Sequence, residues 1–279
     1  MKVLVTGSDG LVGRFLTELL TREGHEVVPF DVSKGKDIRD IEALRAASAG
    51  CSHLVHLAAL LGAPDQGDVE IFDINVLGTF NVLKAAREAG IMRMVLLSSV
   101  NVLGCFMGQS APDYFPIDDD HPQRSKTAYG TGKSLLETMG SVTAAATGAT
   151  VLALRAPGIW PPELYAKLRE WRASDPEGEF NNWEYGTMID VRDLAVAIQQ
   201  SLEADVTGFH AMLVVSDRIA SDIPGTQSVQ RMFPDVPWTQ PDWLAREPFR
   251  GLVDCRLARE LIGFAPKRHW ANGGDPGAV

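Results

Sequence analysis

The sequence predicts an α/β protein, a doubly wound parallel sheet carrying a small C-terminal cap. Three observations lead there. Through the first 155 residues, short β-branched or leucine-rich runs alternate with longer amphipathic stretches, and parallel strands need such helical crossovers. The first run ends in a glycine-rich turn that opens a helix. After Ser216 the pattern loosens, with Pro224, Pro234, Pro237, Pro241 and Pro248 interrupting short helical pieces.

Taken in order, Lys2–Thr6 reads as a strand, and Phe15, Leu16, Leu19 and Leu20 recur at helical spacing until Gly24. A second strand, Glu26–Phe30, follows directly. Residues 53–57, 92–98 and 150–154 read as further buried strands. Between them lies a long helix whose inner face is expected at Phe72, Val76, Phe80 and Leu83, and another helix over 127–147. Residues 190–202 form an amphipathic helix and 208–215 a late strand. The dinucleotide-binding core is therefore expected over 1–157 and 187–215, and the substrate cap over 158–186 and 216–270. The glycine-rich tail, 271–279, reads as disordered. No internal repeat is visible.

A net charge of −10 disfavours phosphate backbones and anionic membranes as partners. Three cysteines, Cys51, Cys105 and Cys255, are odd in number and widely spaced. They suit a reducing compartment rather than a disulfide framework. The first residues run straight into a strand, and no stretch approaches 18 continuous apolar residues. Neither a signal peptide nor a membrane span is expected, and the cytoplasm is the default location.

The turn Gly7-Ser8-Asp9-Gly10-Leu11-Val12-Gly13 has the form G-x-x-G-x-x-G between a strand and a helix. Glycines let the backbone approach a pyrophosphate, which sits on the N-terminus of the helix. Asp31 closes strand two at the distance expected of a ribose ligand. A 2′-phosphate there meets a like charge, so NAD is favoured over NADP, a preference that nearby Lys34 and Lys36 soften.

Tyr129 and Lys133 form Y-x-x-x-K, and residues four apart on a helix share a face. A free phenol is too weak an acid to serve as a base at neutral pH. A neighbouring ammonium and a positive nicotinamide stabilise the phenolate and pull its pKa down. Ser99, ending a strand, can hydrogen-bond the same substrate oxygen.

With these residues in place, the chain resembles the extended short-chain dehydrogenase/reductase family, often labelled NAD-dependent epimerase/dehydratase, over nearly its whole length. Matching segments are 6–13, Asp37-Ile38, His56-Leu57-Ala58-Ala59, 75–79, Ser98-Ser99, 129–133 and Leu154-Arg155, followed by 189–195 and 261–266. The resemblance implies a Rossmann fold and an NAD-dependent oxidoreductase with Ser99, Tyr129 and Lys133 as its catalytic set. It places Asp37 and Ile38 beside the adenine, Leu57, Ala58, Ala59 and Asn75 along the cofactor, and Ala156, Pro157 and Gly158 near the nicotinamide. Family members often dimerise through the helices around 72–86 and 127–147, so a homodimer is expected.

Other motifs point elsewhere and are set aside. Gly130-Thr131-Gly132-Lys133-Ser134 imitates the end of a phosphate loop, but Thr127 stands where its first glycine belongs. His53 and His56 point to opposite faces of a strand, so they are no metal pair, and His56 reads as a satisfied core residue. Asp118-Asp119-Asp120 reads as a solvated acidic loop. No metal site and no G-x-S-x-G elbow appear.

Within the family, dehydratases place an acidic pair after the catalytic hydroxyl residue, where this chain has Val100 and Asn101. Nucleotide-sugar epimerases carry an asparagine where Gly158 stands. These departures favour hydride transfer between NAD and a small non-nucleotide alcohol, sugar or sugar acid, the layout of uronate and aldose dehydrogenases. A nucleotide-sugar epimerase with retained NAD is the alternative, and a non-catalytic dinucleotide sensor the third. Substrate contacts are expected from Leu61, Ser99, Asn101, Tyr129, Trp160 and Lys167, with Leu60 and Trp183 adding apolar wall.

Overall fold

The computed structural model describes residues 1–62, 66–174, 185–245, 247–275 and 277. Six parallel strands form the main sheet in the order β2-β1-β3-β4-β5-β8: β1 Lys2–Thr6, β2 Glu26–Phe30, β3 His53–His56, β4 Arg93–Ser99, β5 Thr150–Ala156 and β8 Phe209–Leu213. The chain leaves β1 for β2 at the edge, then returns to place β3 on the other side of β1. Strand order reverses there, and the carboxyl ends of β1 and β3 flank the crevice where doubly wound sheets bind ligands.

Strand alternation divides the core between the two faces. Val3 and Val5 of β1, with Leu152 and Leu154 of β5, pack with Leu16 and Leu20 of α1 (Leu11–Arg22) and Ile198 of α7 (Val191–Glu203). Leu4, Met94, Leu96 and Val151 face the other way. They meet α2 (Ile41–Ser48), α4 (Thr79–Glu88) and α5 (Ala128–Thr147), including Leu44, Val82 and Leu136.

The long helix expected after β3 is composite. It begins as α3 (Asp68–Phe72), widens to a π-helical segment over Asp73–Gly78, and continues as α4. Its inner row corrects the sequence expectation. Phe72 and Phe80 are exposed, and the buried positions are Ile71, Asn75, Gly78, Thr79, Val82 and Leu83. The reason is that Asn75 and Thr79 have buried hydrogen-bond partners, and at Gly78 a Cβ would lie 2.5 Å from Ile38 Cδ1. Of the expected row Leu83 is buried and Val76 half-buried, so an apolar-only reading finds part of the inner face and misses its polar members.

A short ribbon, β6 (Ile159–Trp160) with β7 (Ile189–Asp190), stands beyond β5, followed by α6 (Pro162–Ser174), and later come α8 (Gly225–Met232) and α9 (Arg256–Ile262). The loop before α5, counted with the core from sequence, joins these later segments through bridges from Phe115 to Trp238 and Ile117 to Val253. The tail also departs from expectation. Asn272 is buried, its side chain bonds the Lys267 carbonyl, and Arg192 donates to the Gly274 carbonyl at 2.7 Å, so 271–275 is docked. No helix among the described residues is long and apolar enough to cross a membrane.

Candidate active site

The glycine turn is shaped by close approach. Gly7 adopts φ +72°, and a Cβ there would fall 2.7 Å from the Ala58 nitrogen. A Cβ at Gly13 would fall 2.2 Å from the Gly7 carbonyl oxygen. Gly10 caps α1 with no side-chain acceptor. First-turn N–H groups are thus left for an anion, the arrangement that dinucleotide pyrophosphates use. Leu57 continues the sheet by donating to the Thr6 carbonyl, and the amide of Asn75 clamps Leu60 by both its N–H and its carbonyl, each at 2.8 Å.

The cleft above these ends encloses about 400 Å³. It is lined by Gly7, Gly10, Leu11, Val12, Gly13, Leu57, Ala59, Leu61, Ser99, Asn101, Tyr129, Lys133, Ala156, Pro157 and Gly158, all named from sequence, and also by Leu97, Ser98, Val100 and Ile159. Ser99 ends β4 and caps the following turn by accepting the Asn101 N–H at 3.2 Å. Thr127 caps α5 through the Gly130 N–H, and this fixes Tyr129 and Lys133 on the first two turns.

Lys133 is buried, donates to the Leu97 carbonyl at 2.6 Å, and lies 5.7 Å from the centre of the Tyr129 ring. Burial pulls its pKa down to about 8, opposed by the carboxylate of Glu137. Burial pushes the Tyr129 phenol above its ordinary value, opposed by a hydrogen bond from Ser99. The sequence argument, which has the ammonium lower the phenol, does not describe this state: desolvation is the larger effect. Asn101 Oδ1 is buried in the cleft wall with no hydrogen-bond partner.

His56 is satisfied on both ring nitrogens. Thr79 Oγ1 gives its proton to the Asn75 carbonyl at 2.6 Å, so it accepts from His56 Nε2, and Nδ1 accepts from Thr6 Oγ1. Burial pulls this histidine to about 3, and it is neutral.

Other expected residues stand outside the cleft lining. Asp31 Oδ2 accepts the Asp9 N–H at 3.0 Å and Oδ1 accepts the Ser33 N–H, which places the carboxylate beside the glycine turn. Asp37 is paired with Arg39, and Ile38 is buried beneath Gly78. Ala58 packs into the core, and Asn75 holds the Leu60 loop rather than facing the cleft. Trp160 does not line the cleft and packs edge-on against Tyr165 and Trp270. Lys167 is exposed on α6 and does not line the cleft. Trp183 lies outside the described residues.

Two features escaped the sequence reading. The Asp119 side chain accepts the Leu213 N–H at 2.6 Å, and burial pushes its pKa up to about 7, so this part of the acidic loop is not simply solvated. Behind Lys133, Glu137 and Arg155 form a buried ion pair at 2.9 Å. An arginine inside the apolar strand TVLALRA was the available signal, because a buried charge needs a partner. Among the described residues no cluster could hold a metal ion.

Comparison with known proteins gives the chain its family. L-arabinose 1-dehydrogenase (NAD(P)(+)) of Haloferax volcanii is 33% identical over 168 residues, covering 55% of this chain and 65% of that protein. UDP-glucose 4-epimerase of Corynebacterium glutamicum is 30% identical over 171 residues, 56% of this chain and 50% of that enzyme. The chain thus spans less than two thirds of the length of these two relatives. A short-chain dehydrogenase/reductase superfamily protein from Agrobacterium tumefaciens, solved with bound NAD, shares the fold at a TM-score of 0.74 and 22% identity, over 100% of this chain and 96% of that one. A model of the NAD dependent epimerase/dehydratase family matches residues 3–210, and the chain belongs to that family.

Proposed function

We propose that the chain is an NAD-dependent oxidoreductase passing hydride between NAD and a small non-nucleotide alcohol, sugar or sugar acid. The observation that carries this is the convergence of Ser99, Tyr129, Lys133 and the unpartnered Asn101 Oδ1 on one cleft that also holds the glycine turn. Family membership and the arabinose dehydrogenase relative support the reaction class.

When bound, NAD supplies the hydride acceptor or donor at its nicotinamide ring. The first-turn N–H groups of α1 seat its pyrophosphate, and Asp31 takes the adenosine ribose. Ser99 hydrogen-bonds the reacting oxygen of the substrate. Tyr129 moves the proton at that oxygen. Its raised pKa keeps the phenol protonated in the free protein, poised to donate to a carbonyl. Accepting a proton from a hydroxyl requires added positive charge nearby, and Lys133 provides part of it. Asn101 Oδ1 accepts a second substrate hydroxyl.

The same reading makes the protein a cytoplasmic homodimer. Supporting it are three free, buried cysteines and the exposed apolar residues Val69, Phe72, Leu77, Phe80, Leu135 and Val142 on neighbouring helices. The deciding experiment follows NADH absorbance with a panel of aldoses, uronates and simple alcohols. Turnover of a UDP-sugar with tightly retained cofactor and no net NADH would replace this reading with the epimerase.

A further inference from the structure

Tyr129, Lys133 and Glu137 follow at four-residue spacing along one face of α5. The Glu137 carboxylate is buried and fully engaged. Oε1 accepts from Ser98 Oγ at 2.6 Å and from Arg155 Nε at 2.9 Å. Oε2 accepts from Arg155 Nη2 and Gln123 Nε2, both at 2.9 Å. Arg155 Nη1 donates onward to the Asp119 carbonyl. Ser98 and Arg155 are register partners across β4 and β5, and the next pair along is Ser99 and Ala156, both in the cleft wall.

A single carboxylate therefore ties the helix bearing Tyr129 and Lys133 to the strands bearing Ser99 and Ala156, at the edge of the cleft wall. Stability alone does not account for it, since apolar replacements of a buried ion pair are often neutral or stabilising. We propose that Glu137 is a positioning residue of the proton-transfer site, registering α5 against β4 and β5 and supplying the negative charge that keeps Lys133 an ammonium beside Tyr129. This rests on the reading of Tyr129 as the acid/base.

The surroundings of Lys133 support the electrostatic half. Tyr129 and Glu137 face it from its own helix, and His56 faces it from β3 and is neutral. Arg155 of β5 and Asp119 lie beyond Glu137. Among these groups Glu137 is the carboxylate whose charge opposes the loss of the Lys133 proton.

The test follows tyrosinate ultraviolet absorbance in NAD-saturated protein, subtracting Tyr129→Phe to isolate one residue. Burial drives the other three tyrosines, Tyr114, Tyr165 and Tyr185, far above the ordinary range. In wild type the Tyr129 step falls below that of a free phenol. Glu137→Gln raises it by roughly one unit or more, because Lys133 loses its charge, while NAD affinity stays within twofold of wild type. Because that variant leaves Arg155 without its partner, Glu137→Gln/Arg155→Met is titrated beside it and shows the same rise. Glu137→Asp, which keeps the charge, returns the step toward wild type. An unmoved Tyr129 step in either neutral variant overturns the proposal. Absence of any low step in wild type overturns the Tyr129 reading, and the role of Glu137 with it.

Discussion

The Lys133 ammonium donates a hydrogen bond to the Leu97 carbonyl and stands 5.7 Å from the ring centre of Tyr129, so the backbone of β4 fixes the charge beside the aromatic ring. The first expectation concerns that phenol. Tyr129→Phe keeps the ring and removes the proton carrier, lowering turnover by roughly a hundredfold to ten-thousandfold. Folding and NAD affinity stay at wild-type values by thermal melt and calorimetry. A variant retaining most of its turnover would place the chemistry on another group.

Burial of Lys133 has its own signature in stability. Its folded pKa, about 8, lies below the value of an exposed lysine. The unfolded chain therefore holds more protons between about 8 and 10.4, and this group's contribution to stability rises with pH through that window. Below it the charged side chain is a liability. Lys133→Met is expected to be more stable than wild type at pH 7, by about 1–3 kcal/mol in denaturant unfolding, with the advantage shrinking as pH approaches about 10. Activity is lost throughout. A variant less stable than wild type at pH 7 would contradict this.

The expected preference for NAD rests on two carboxylates beside the glycine turn. Asp31 accepts the Asp9 N–H, while the Asp9 carboxylate takes the Ser33 hydroxyl and the Lys34 ammonium. Asp9 thereby occupies a cation that could otherwise meet a 2′-phosphate. Wild type binds NAD more tightly than NADP. Asp9→Asn, which frees Lys34, improves NADP binding by about tenfold, or about 1.4 kcal/mol. Asp31→Ala also narrows the gap, at the cost of loosening the turn. Calorimetric titration of both cofactors decides it, and a wild-type preference for NADP would end the idea.

The exposed apolar residues make a prediction about assembly. Phe80 is 52% exposed on α4, beside Leu77 at 49%. Phe80→Asp is expected to convert a dimer to a monomer in analytical ultracentrifugation without lowering the melting temperature of the monomer. Wild type sedimenting as a monomer at high concentration would remove the basis for it.

Sequence reading located β1 and β2 residue for residue because short β-branched runs between turn signals leave little choice of register. Ser99, Tyr129 and Lys133, which line one cleft, could be named from sequence because the chemistry expected of them constrains both residue type and spacing. Glu137 could not, since a glutamate on a helix ordinarily faces water, and it is Arg155, Ser98 and Gln123, distant in sequence, that make it an inside residue. The phase of the composite helix was hidden for a related reason: Asn75 and Thr79 are polar in type yet buried with partners. That Trp160 and Lys167 lie outside the cleft lining was not visible in the sequence, because the ribbon and helix beyond β5 take their orientation from tertiary contacts such as Trp270 against Trp160.

The grip of Asn75 on Leu60 carries a consequence for redesign. A side-chain amide there does the work of a neighbouring strand, satisfying both backbone groups of one residue just before the exposed Leu61. Leu61 therefore follows a fixed backbone position and lines the same cleft as the glycine turn. Position 61 is thus the place to exchange a side chain when retuning which molecules are accepted, with cofactor affinity measured beside it because both share one cleft.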